Sequence, residues 1–390
     1  MKNLLLTSLI LAGIPFTTVN AKSRVASASP RVVSQIPNKD QAKVQIAILL
    51  DTSGSMSGLI EQTKTQLWKI VNTFTDAQKD GVVPFVEVAL YEYGNDGLGA
   101  EEHWIRQIQP LTRDLDQISE DLFQLKTNGG SEYCGAVLER AVAGLKWDSS
   151  PNVYKAVFIA GNEGFDQGPI SPTKACKTAA GLSIYVNTIF CGNENAGASS
   201  GWLGGASLAG GRFLTIDHNQ AVVHVKTPHD AMILELNNRL NKTYLAFGAK
   251  GASSVQRQIA QDSNAHRKAK SGAHLQRVLS KSSKNYCNTS WDLVDAANQK
   301  DFKIESVKKD ALPKEMQEMN LEQKKQHIAK MEAERKAIQL EIKGLNKKRL
   351  AWIAEKQKSE AKSNTLDSAV IRTVREQAEK KGYSFALSGE

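Results

Sequence analysis

The sequence has few of the residues that mark disulfide-stapled or zinc-binding folds. It contains 4 cysteines and 10 prolines in 390 residues, and no two cysteines are spaced Cys-x-x-Cys. The absence of this spacing excludes the common zinc-binding patterns. No phosphate-binding loop is present, and no Ser-His-Asp constellation stands out. After the first 21 residues no run is apolar and long enough to span a bilayer, so we expect no membrane span.

The chain carries more positive than negative charge, and the excess is unevenly distributed along it. The formal net charge is +9, yet residues 41–250 hold 17 basic and 22 acidic side chains. The excess of positive charge lies at the N-terminus and beyond residue 250, where lysines alternate with glutamates. That alternation is typical of a solvated helix surface. We therefore expect no nucleic-acid partner, although a basic helix touching nucleic acid or anionic lipid is the alternative.

The first residues have the pattern of an export signal. Lys2 supplies a short positive region, Leu4 to Phe16 is mostly apolar, and Val19-Asn20-Ala21 fits a cleavage site. The pattern predicts a signal peptide over residues 1–21 and an exported protein. Periplasm and cell surface both remain open as destinations. Residues 22–43, without periodicity, are predicted to be a flexible leader.

If the protein is exported, its cysteines can form disulfides. An oxidising compartment permits disulfides, and we expect at least one disulfide among the first three cysteines, with the connectivity left open. The four cysteines are Cys134, Cys176, Cys191 and Cys287.

From residue 44 onward, apolar segments of strand length alternate with helical segments. Val44–Leu50, Val153–Ala160 and Ile184–Phe190 are apolar almost throughout, as strands buried on both faces of a parallel sheet are. Helical patterns follow them at Leu59–Thr75 and Thr173–Ala180. The alternation predicts an α/β fold with a doubly wound, mostly parallel sheet over residues 44–245.

The segment Asp51-Thr52-Ser53-Gly54-Ser55 stands where the first apolar strand ends and a helix begins. It places oxygen side chains at Asp51, Ser53 and Ser55. Hard divalent cations bind such oxygens, and open α/β sheets bind ligands at the carboxyl ends of their strands. An ordinary strand-to-helix loop with Ser55 as helix cap is the alternative.

This spacing, after an Ile/Leu strand and before a helix, resembles the metal-ion-dependent adhesion site of von Willebrand factor A (VWA) domains, including those of exported bacterial proteins. The resemblance implies the Rossmann-like VWA fold. It also implies one bound ion, Mg²⁺ (or Mn²⁺ or Ca²⁺), held by Asp51, Ser53 and Ser55. The ion would keep an open position for an acidic residue of a protein partner.

In that family a Thr from a second loop and an Asp from a third loop complete the ion's shell. The second loop here is Thr127 to Gly135, and either Ser131 or Glu132 falls at the family's Thr position, depending on the glycine from which one counts. In the third loop Gly161 stands where the family has Asp. The sequence departs from the pattern there, and Glu163 or Asn162 is the expected substitute.

The loop after the Ile184–Phe190 strand adds candidates for partner contact. Trp202 stands among glycines, and Phe165 lies on a neighbouring loop. An exposed aromatic on a loop anchors partners well, whereas packing beneath its own loop is the commoner role of such a tryptophan.

These features favour a metal-dependent protein-binding module over a structural envelope protein whose ion staples loops together. We expect no enzyme activity. The candidate bases for a metal-assisted hydrolase are Glu132, Glu163 and His103, and His103 is expected to lie away from the metal edge.

The chain beyond the α/β domain divides into three parts. Residues 246–307 are predicted to be an extension packed on the domain, with a short helix near Trp291. Residues 308–362 are predicted to form a long charged helix, and residues 363–390 a short helix and tail. Met331, Ile338, Leu345 and Trp352 fall seven apart, although Arg335 and Arg349 interrupt the companion seam. The repeat leaves open a coiled coil that makes a homo-oligomer and a helix folded back on the domain.

Overall fold

The computed structural model describes residues 42–74, 77–216, 225–267, 272–359 and 366–385. The predicted signal peptide, and the predicted leader up to residue 41, lie outside the described residues.

A six-stranded sheet forms the centre of the structure, with strand order β4-β3-β1-β5-β6-β7. All neighbouring strands are parallel except β3 and β4, which are antiparallel. A separate two-stranded ribbon pairs β2 with β8. The strands are β1 (Lys43–Asp51), β2 (Ala77–Gln78), β3 (Phe85–Tyr93), β4 (Ile105–Thr112), β5 (Tyr154–Gly161), β6 (Tyr185–Phe190), β7 (Phe213–Thr215) and β8 (Ser384–Phe385). The expectation of a doubly wound, mostly parallel sheet is confirmed.

Helices cover both faces of this sheet. Every residue of β1 after Lys43 is buried, which is why the strand reads as a continuous apolar run. The helices are α1 (Ile60–Thr73), α2 (Leu115–Gln124), α3 (Cys134–Gly144), α4 (Pro172–Gly181), α5 (Glu194–Ser199), α6 (Trp202–Leu208), α7 (Asp230–Asn241), α8 (Gly251–Arg267), α9 (Ala273–Lys281), α10 (Leu293–Ala297), α11 (Leu321–Ser359) and α12 (Leu366–Glu379).

The two faces hold separate cores. Helices α1, α7, α9 and α12 pack on the face that bears Ile46, Ile48 and Leu50 of β1. Helices α3, α4 and α6 pack on the face that bears Ala47 and Leu49. The side-chain alternation of a strand therefore divides β1 between two cores.

The segment after α7 adds a layer of helices held by buried ion pairs. Arg277 of α9 lies 2.7 Å from Asp116 of α2 and 2.6 Å from Asp262 of α8. Lys281 lies 2.7 Å from the same Asp262. Both cations are almost inaccessible to solvent, and such charges are kept buried only by partners of opposite sign.

The long helix α11 folds back on the α/β domain. Arg335 bonds to Asp292 at 2.7 Å, Asp295 at 3.0 Å and the Thr243 carbonyl at 2.6 Å. Arg349 lies 3.1 Å from Asp230. The two arginines that interrupt the heptad seam are therefore the residues that fix this helix to the domain.

The apolar seam of α11 is covered by the same contact. Ile328, Ile338 and Ile342 are buried within the chain, whereas Leu340 on the outer side is 72% exposed. Of the two alternatives that the heptad repeat left open, the structure shows the helix folded back on the domain, and a homo-oligomer through this helix stays a prediction.

The C-terminal helix α12 completes the core beside α1. Val370, Val374 and Ala378 are fully buried. The amide of Gln377 accepts a hydrogen bond from the Tyr154 hydroxyl at 3.0 Å and exchanges two with the Asn187 amide, at 3.1 and 2.8 Å.

All four cysteines are free. The expected disulfide is therefore not formed in this structure, and Cys134, Cys176 and Cys191 are buried side chains of the apolar cores. Among the described residues, no helix combines the length and the apolar character needed to cross a membrane.

Candidate metal site

Four loops meet at the edge of the sheet where the parallel strands end. They follow β1, β3 and β5 and precede α3. The loops are bonded directly to one another, because the Asn128 N–H donates to the Thr52 carbonyl at 3.0 Å and the Asp96 N–H donates to the Gly129 carbonyl. The Asn95 side chain adds a bond to the Lys126 carbonyl at 2.9 Å.

Asp51, the last residue of β1, lies at the centre of this edge and is 0% exposed. Its Oδ1 accepts a hydrogen bond from the Ser53 N–H at 2.7 Å. Its Oδ2 is buried and has no hydrogen-bond partner. Burial raises the pKa of this carboxyl to about 7, hydrogen bonds from Ser53 and the approach of the Asn162 backbone N–H oppose the shift, and the charge of Glu132 adds to it. An orphaned, buried carboxylate oxygen costs free energy unless something binds it.

The hydroxyls of the first loop form a chain of oxygens that begins beside Asp51. The Ser53 and Ser55 Oγ atoms are 2.9 Å apart, and Ser55 Oγ donates to the Asn162 Oδ1 at 2.9 Å. Neighbouring ligands of an octahedral magnesium ion, each about 2.1 Å from the metal, are about 3 Å apart. The oxygen spacing therefore fits one small divalent ion.

Glu132 is the second carboxylate at the edge. A Cβ added to Gly94 would lie 2.9 Å from Asp51 Oδ1 and 3.0 Å from Glu132 Cγ, so the two acids flank this glycine. Burial raises the pKa of Glu132, and the charges of Glu163 and Asp96 add to the shift. Of the two second-loop candidates, the structure places Glu132 against Gly94, and Ser131 is half-buried one residue earlier.

Gly161 occupies the position where the resemblance implies an aspartate. A Cβ there would lie 2.5 Å from the Tyr93 hydroxyl, 3.0 Å from the Trp202 ring and 3.1 Å from Asp51 Oδ2. Tyr93 and Trp202 thus fill the space that an aspartate side chain needs. The glycine is required by this packing.

The third loop reaches the site through its next residue. Asn162 contacts Ser55 directly, and its amide donates to Glu163 Oε1 at 3.3 Å. Asn162 therefore lies between Ser55 and the Glu163 side chain. Its role as a direct metal ligand stays a prediction.

Trp202 and Phe165 do not form an exposed anchor, and that expectation is wrong for this structure. Both side chains are at most 1% exposed, and their rings pack 4.9 Å apart. The Trp202 indole donates to the Glu163 carbonyl at 2.8 Å. The absence of a side chain at Gly161 leaves room for this indole.

His103 lies at the metal edge, contrary to the expectation from sequence. It precedes β4, and because β4 runs antiparallel to β3, the start of β4 lies where β3 ends. Its ring centroid is 6.0 Å from that of Tyr133, the residue after Glu132.

The donor set is rich in oxygen and low in charge. Within the described residues no group of three or more His, Cys, Asp and Glu side chains is arranged to hold a metal. The oxygens gathered here come instead from Asp51, Glu132, two serines and an asparagine. Such hard, mostly neutral oxygens suit magnesium or manganese rather than zinc.

Comparisons with known proteins find weak likenesses to solved structures. No protein-family model matches the sequence, and no curated protein does. Proximal thread matrix protein 1 from the mussel byssus is 15% identical, with a TM-score of 0.35 over 46% of this chain and 42% of that one. The chain thus spans about two-fifths of the length of that protein.

Two further matches cover most of their own chains. BatB from Bacteroides thetaiotaomicron is 16% identical, with a TM-score of 0.34 over 45% of this chain and 90% of that one. The SpRpn10 VWA domain is 16% identical, with a TM-score of 0.34 over 45% and 89%. The order β4-β3-β1-β5-β6-β7, with one antiparallel edge strand, is that of a doubly wound α/β sheet, which is the fold class that the resemblance to von Willebrand A domains implies.

Proposed function

We propose that the chain is an exported, divalent-metal-dependent protein-binding module of the VWA type. The single observation that carries the proposal is the buried Asp51 Oδ2, which accepts no well-formed hydrogen bond at an edge where other oxygens are gathered. A cation beside this oxygen would satisfy it and would keep the carboxyl ionised at neutral pH.

The residues that would hold the ion are Asp51, Ser53, Ser55, Asn162 and Glu132. A bound ion would supply a positive charge that attracts a carboxylate of the partner. With Asp51 as its one anionic ligand beside the neutral oxygens of Ser53, Ser55 and Asn162, the ion would keep part of its charge for that attraction, and direct binding by Glu132 would remove it. Ser55 and Gly54 are exposed, so the site is reached from solvent on that side.

A structural role, in which the ion staples the loops together, is less well supported. The loops already hold one another through the Asn128–Thr52 and Asp96–Gly129 backbone hydrogen bonds. Because these bonds need no ion, the loops have less to gain from a metal staple. We propose no catalytic step for this site.

The proposal is tested by capturing partners from a cell-envelope extract on immobilised protein. We expect proteins retained in Mg²⁺ to be released by EDTA and to be missing with Asp51→Ala. Asp310→Ala, which changes an exposed aspartate far along the chain before α11, serves as the matched control and should retain them. An identical captured set with and without EDTA would contradict the proposal.

A further inference from the structure

Three aromatic side chains form a shelf beside the candidate metal site. The Trp104 and Tyr133 rings meet edge to face, with centroids 5.3 Å apart at 86°, and the His103 ring lies 6.0 Å from Tyr133. All three side chains are half-buried. The shelf adjoins the site on two loops, because Tyr133 follows Glu132 and the Gly94 N–H donates to the Trp104 carbonyl at 3.0 Å.

The backbone under the shelf adopts an unfavourable conformation. His103 and Trp104 have φ angles of 55° and 53°, and a bulky residue rarely occupies this left-handed region. Asparagine or glycine would fit the backbone better at Trp104. Strain of this kind concentrates at functional sites, so the side chain rather than the fold accounts for a tryptophan here.

Tyr133 is seated on the third loop. A Cβ added to Gly168 would lie 2.5 Å from the Tyr133 ring, and Gly168 itself has a φ of 95°. The neighbouring Gln167 accepts a hydrogen bond from the Glu132 N–H at 2.8 Å. The shelf and the metal-site loop are therefore fixed by the same two residues.

Acidic residues outnumber basic ones in the loops around the shelf. The edge loops, residues 52–59, 94–104, 125–133, 162–171 and 191–201, contain one basic residue, Lys126. They contain seven acidic residues, which are Asp96, Glu101, Glu102, Glu132, Glu163, Asp166 and Glu194. One of them, Glu102, is paired with Arg140 of α3 at 2.7 Å. A surface of this sign attracts cations and repels acidic partners.

We infer that the shelf of His103, Trp104 and Tyr133 binds an arginine or lysine side chain of the protein partner, next to the carboxylate that the metal site takes. Aromatic faces attract cations, and arginine also stacks on them. The acidic rim adds to the attraction. The inference rests on the proposed function in requiring a protein partner, but the shelf itself needs no ion. The recognised segment thus carries an acidic residue with a basic residue near it.

The test uses two synthetic peptides with the same central aspartate, one flanked by arginines and one by glutamates. Binding is followed by NMR through the Trp104 indole N–H resonance, which Trp104→Phe assigns. We expect the arginine peptide to shift this resonance and to bind about tenfold or more tightly than the glutamate peptide, since a desolvated cation–π contact supplies that much. Trp104→Asn should remove most of this preference.

Controls separate the shelf from the fold and from the metal site. Asparagine tolerates the left-handed backbone at position 104, so a thermal melt should show Trp104→Asn to be folded. Trp352→Asn, at a half-buried tryptophan on α11, should keep the preference. EDTA should weaken both peptides and leave the preference for arginine intact.

Different results would overturn different claims. Equal binding of the two peptides, or a preference that survives Trp104→Asn, would overturn the shelf proposal. A shift of the Trp104 resonance by a neutral oligosaccharide, with none by the arginine peptide, would overturn it in favour of a sugar site. Peptide affinities unchanged by EDTA, with the arginine preference intact, would instead count against the metal-dependent function alone.

Discussion

Replacing Asp51 with asparagine should change how the stability of the metal-free protein depends on pH. The pKa of Asp51 is raised in the fold from 3.8 to about 7, chiefly by burial. When folding raises the pKa of an acid, ionising that acid lowers the unfolding free energy, whereas the protonated acid carries no such penalty. For Asp51 the penalty is therefore absent below about pH 4. It grows as pH rises and is complete above pH 7. A rise of the pKa from 3.8 to about 7 corresponds to about 4 kcal/mol.

More than half of this penalty, about 2 to 3 kcal/mol, falls between pH 5 and pH 8. The assay is urea unfolding of wild type and Asp51→Asn in EDTA at these two values. The fixed cost of the asparagine cancels, because its amide does not titrate in this range. Relative to the variant, wild type should lose about 2 to 3 kcal/mol of unfolding free energy from pH 5 to pH 8. Mg²⁺ at pH 8 should restore wild type and leave the variant unchanged. A constant difference between the two proteins at both pH values would refute the argument that Asp51 is buried without a partner.

Three further substitutions test packing at the site and in the docking of helices α11 and α12. Gly161→Asp should lower the unfolding free energy, measured by urea unfolding, by about 1 to 3 kcal/mol through overpacking. The control Gly164→Asp, where an added Cβ meets nothing within 4 Å, should change the unfolding free energy little. Equal effects of the two substitutions would contradict the packing described at Gly161. Gln377→Ala should cost about 2 to 4 kcal/mol in the same assay, because a buried hydroxyl and amide lose their partners, and a neutral result would mean that α12 is not docked. Arg335→Met should cost about 3 to 5 kcal/mol by leaving a buried carboxylate unpaired, while Lys336→Met on the exposed side of α11 serves as its control. Equal losses for those two variants would contradict the docking of α11.

Local patterns in the sequence were enough to predict the central sheet. The apolar run of β1 and the alternation of strands and helices depend on burial, and burial leaves its mark on every residue of a strand. The position of Asp51 at the end of β1 follows from the same pattern. The short helix α10 and the buried Trp291 also agree with the expectation from sequence.

Features that depend on contacts between distant segments were not readable. Helix α9 was missed because its polar residues Arg277 and Lys281 are buried through ion pairs with other helices. The fate of Trp202 was decided by the missing side chain at Gly161, 41 residues away in sequence. In the same way, Arg335 interrupts the heptad seam in the sequence, and only the fold shows that it pairs with Asp292 and Asp295 near α10.

The aromatic shelf was missed for a related reason. Trp104 and His103 stand at the start of a strand, and nothing in the sequence shows that this strand is antiparallel. Only the topology brings these residues to the metal edge. The sequence signal that remains is the excess of acidic residues in the edge loops, which becomes visible once those loops are known to meet.

The most direct test of the central claim is a crystal structure of the protein grown with Mn²⁺, with anomalous diffraction recorded to locate the metal. The account predicts one anomalous peak at bonding distance from Asp51 Oδ2 and the hydroxyl oxygens of Ser53 and Ser55. A well-ordered edge in which Asp51 Oδ2 is bonded to a protein donor, with no anomalous density beside it, would contradict the account.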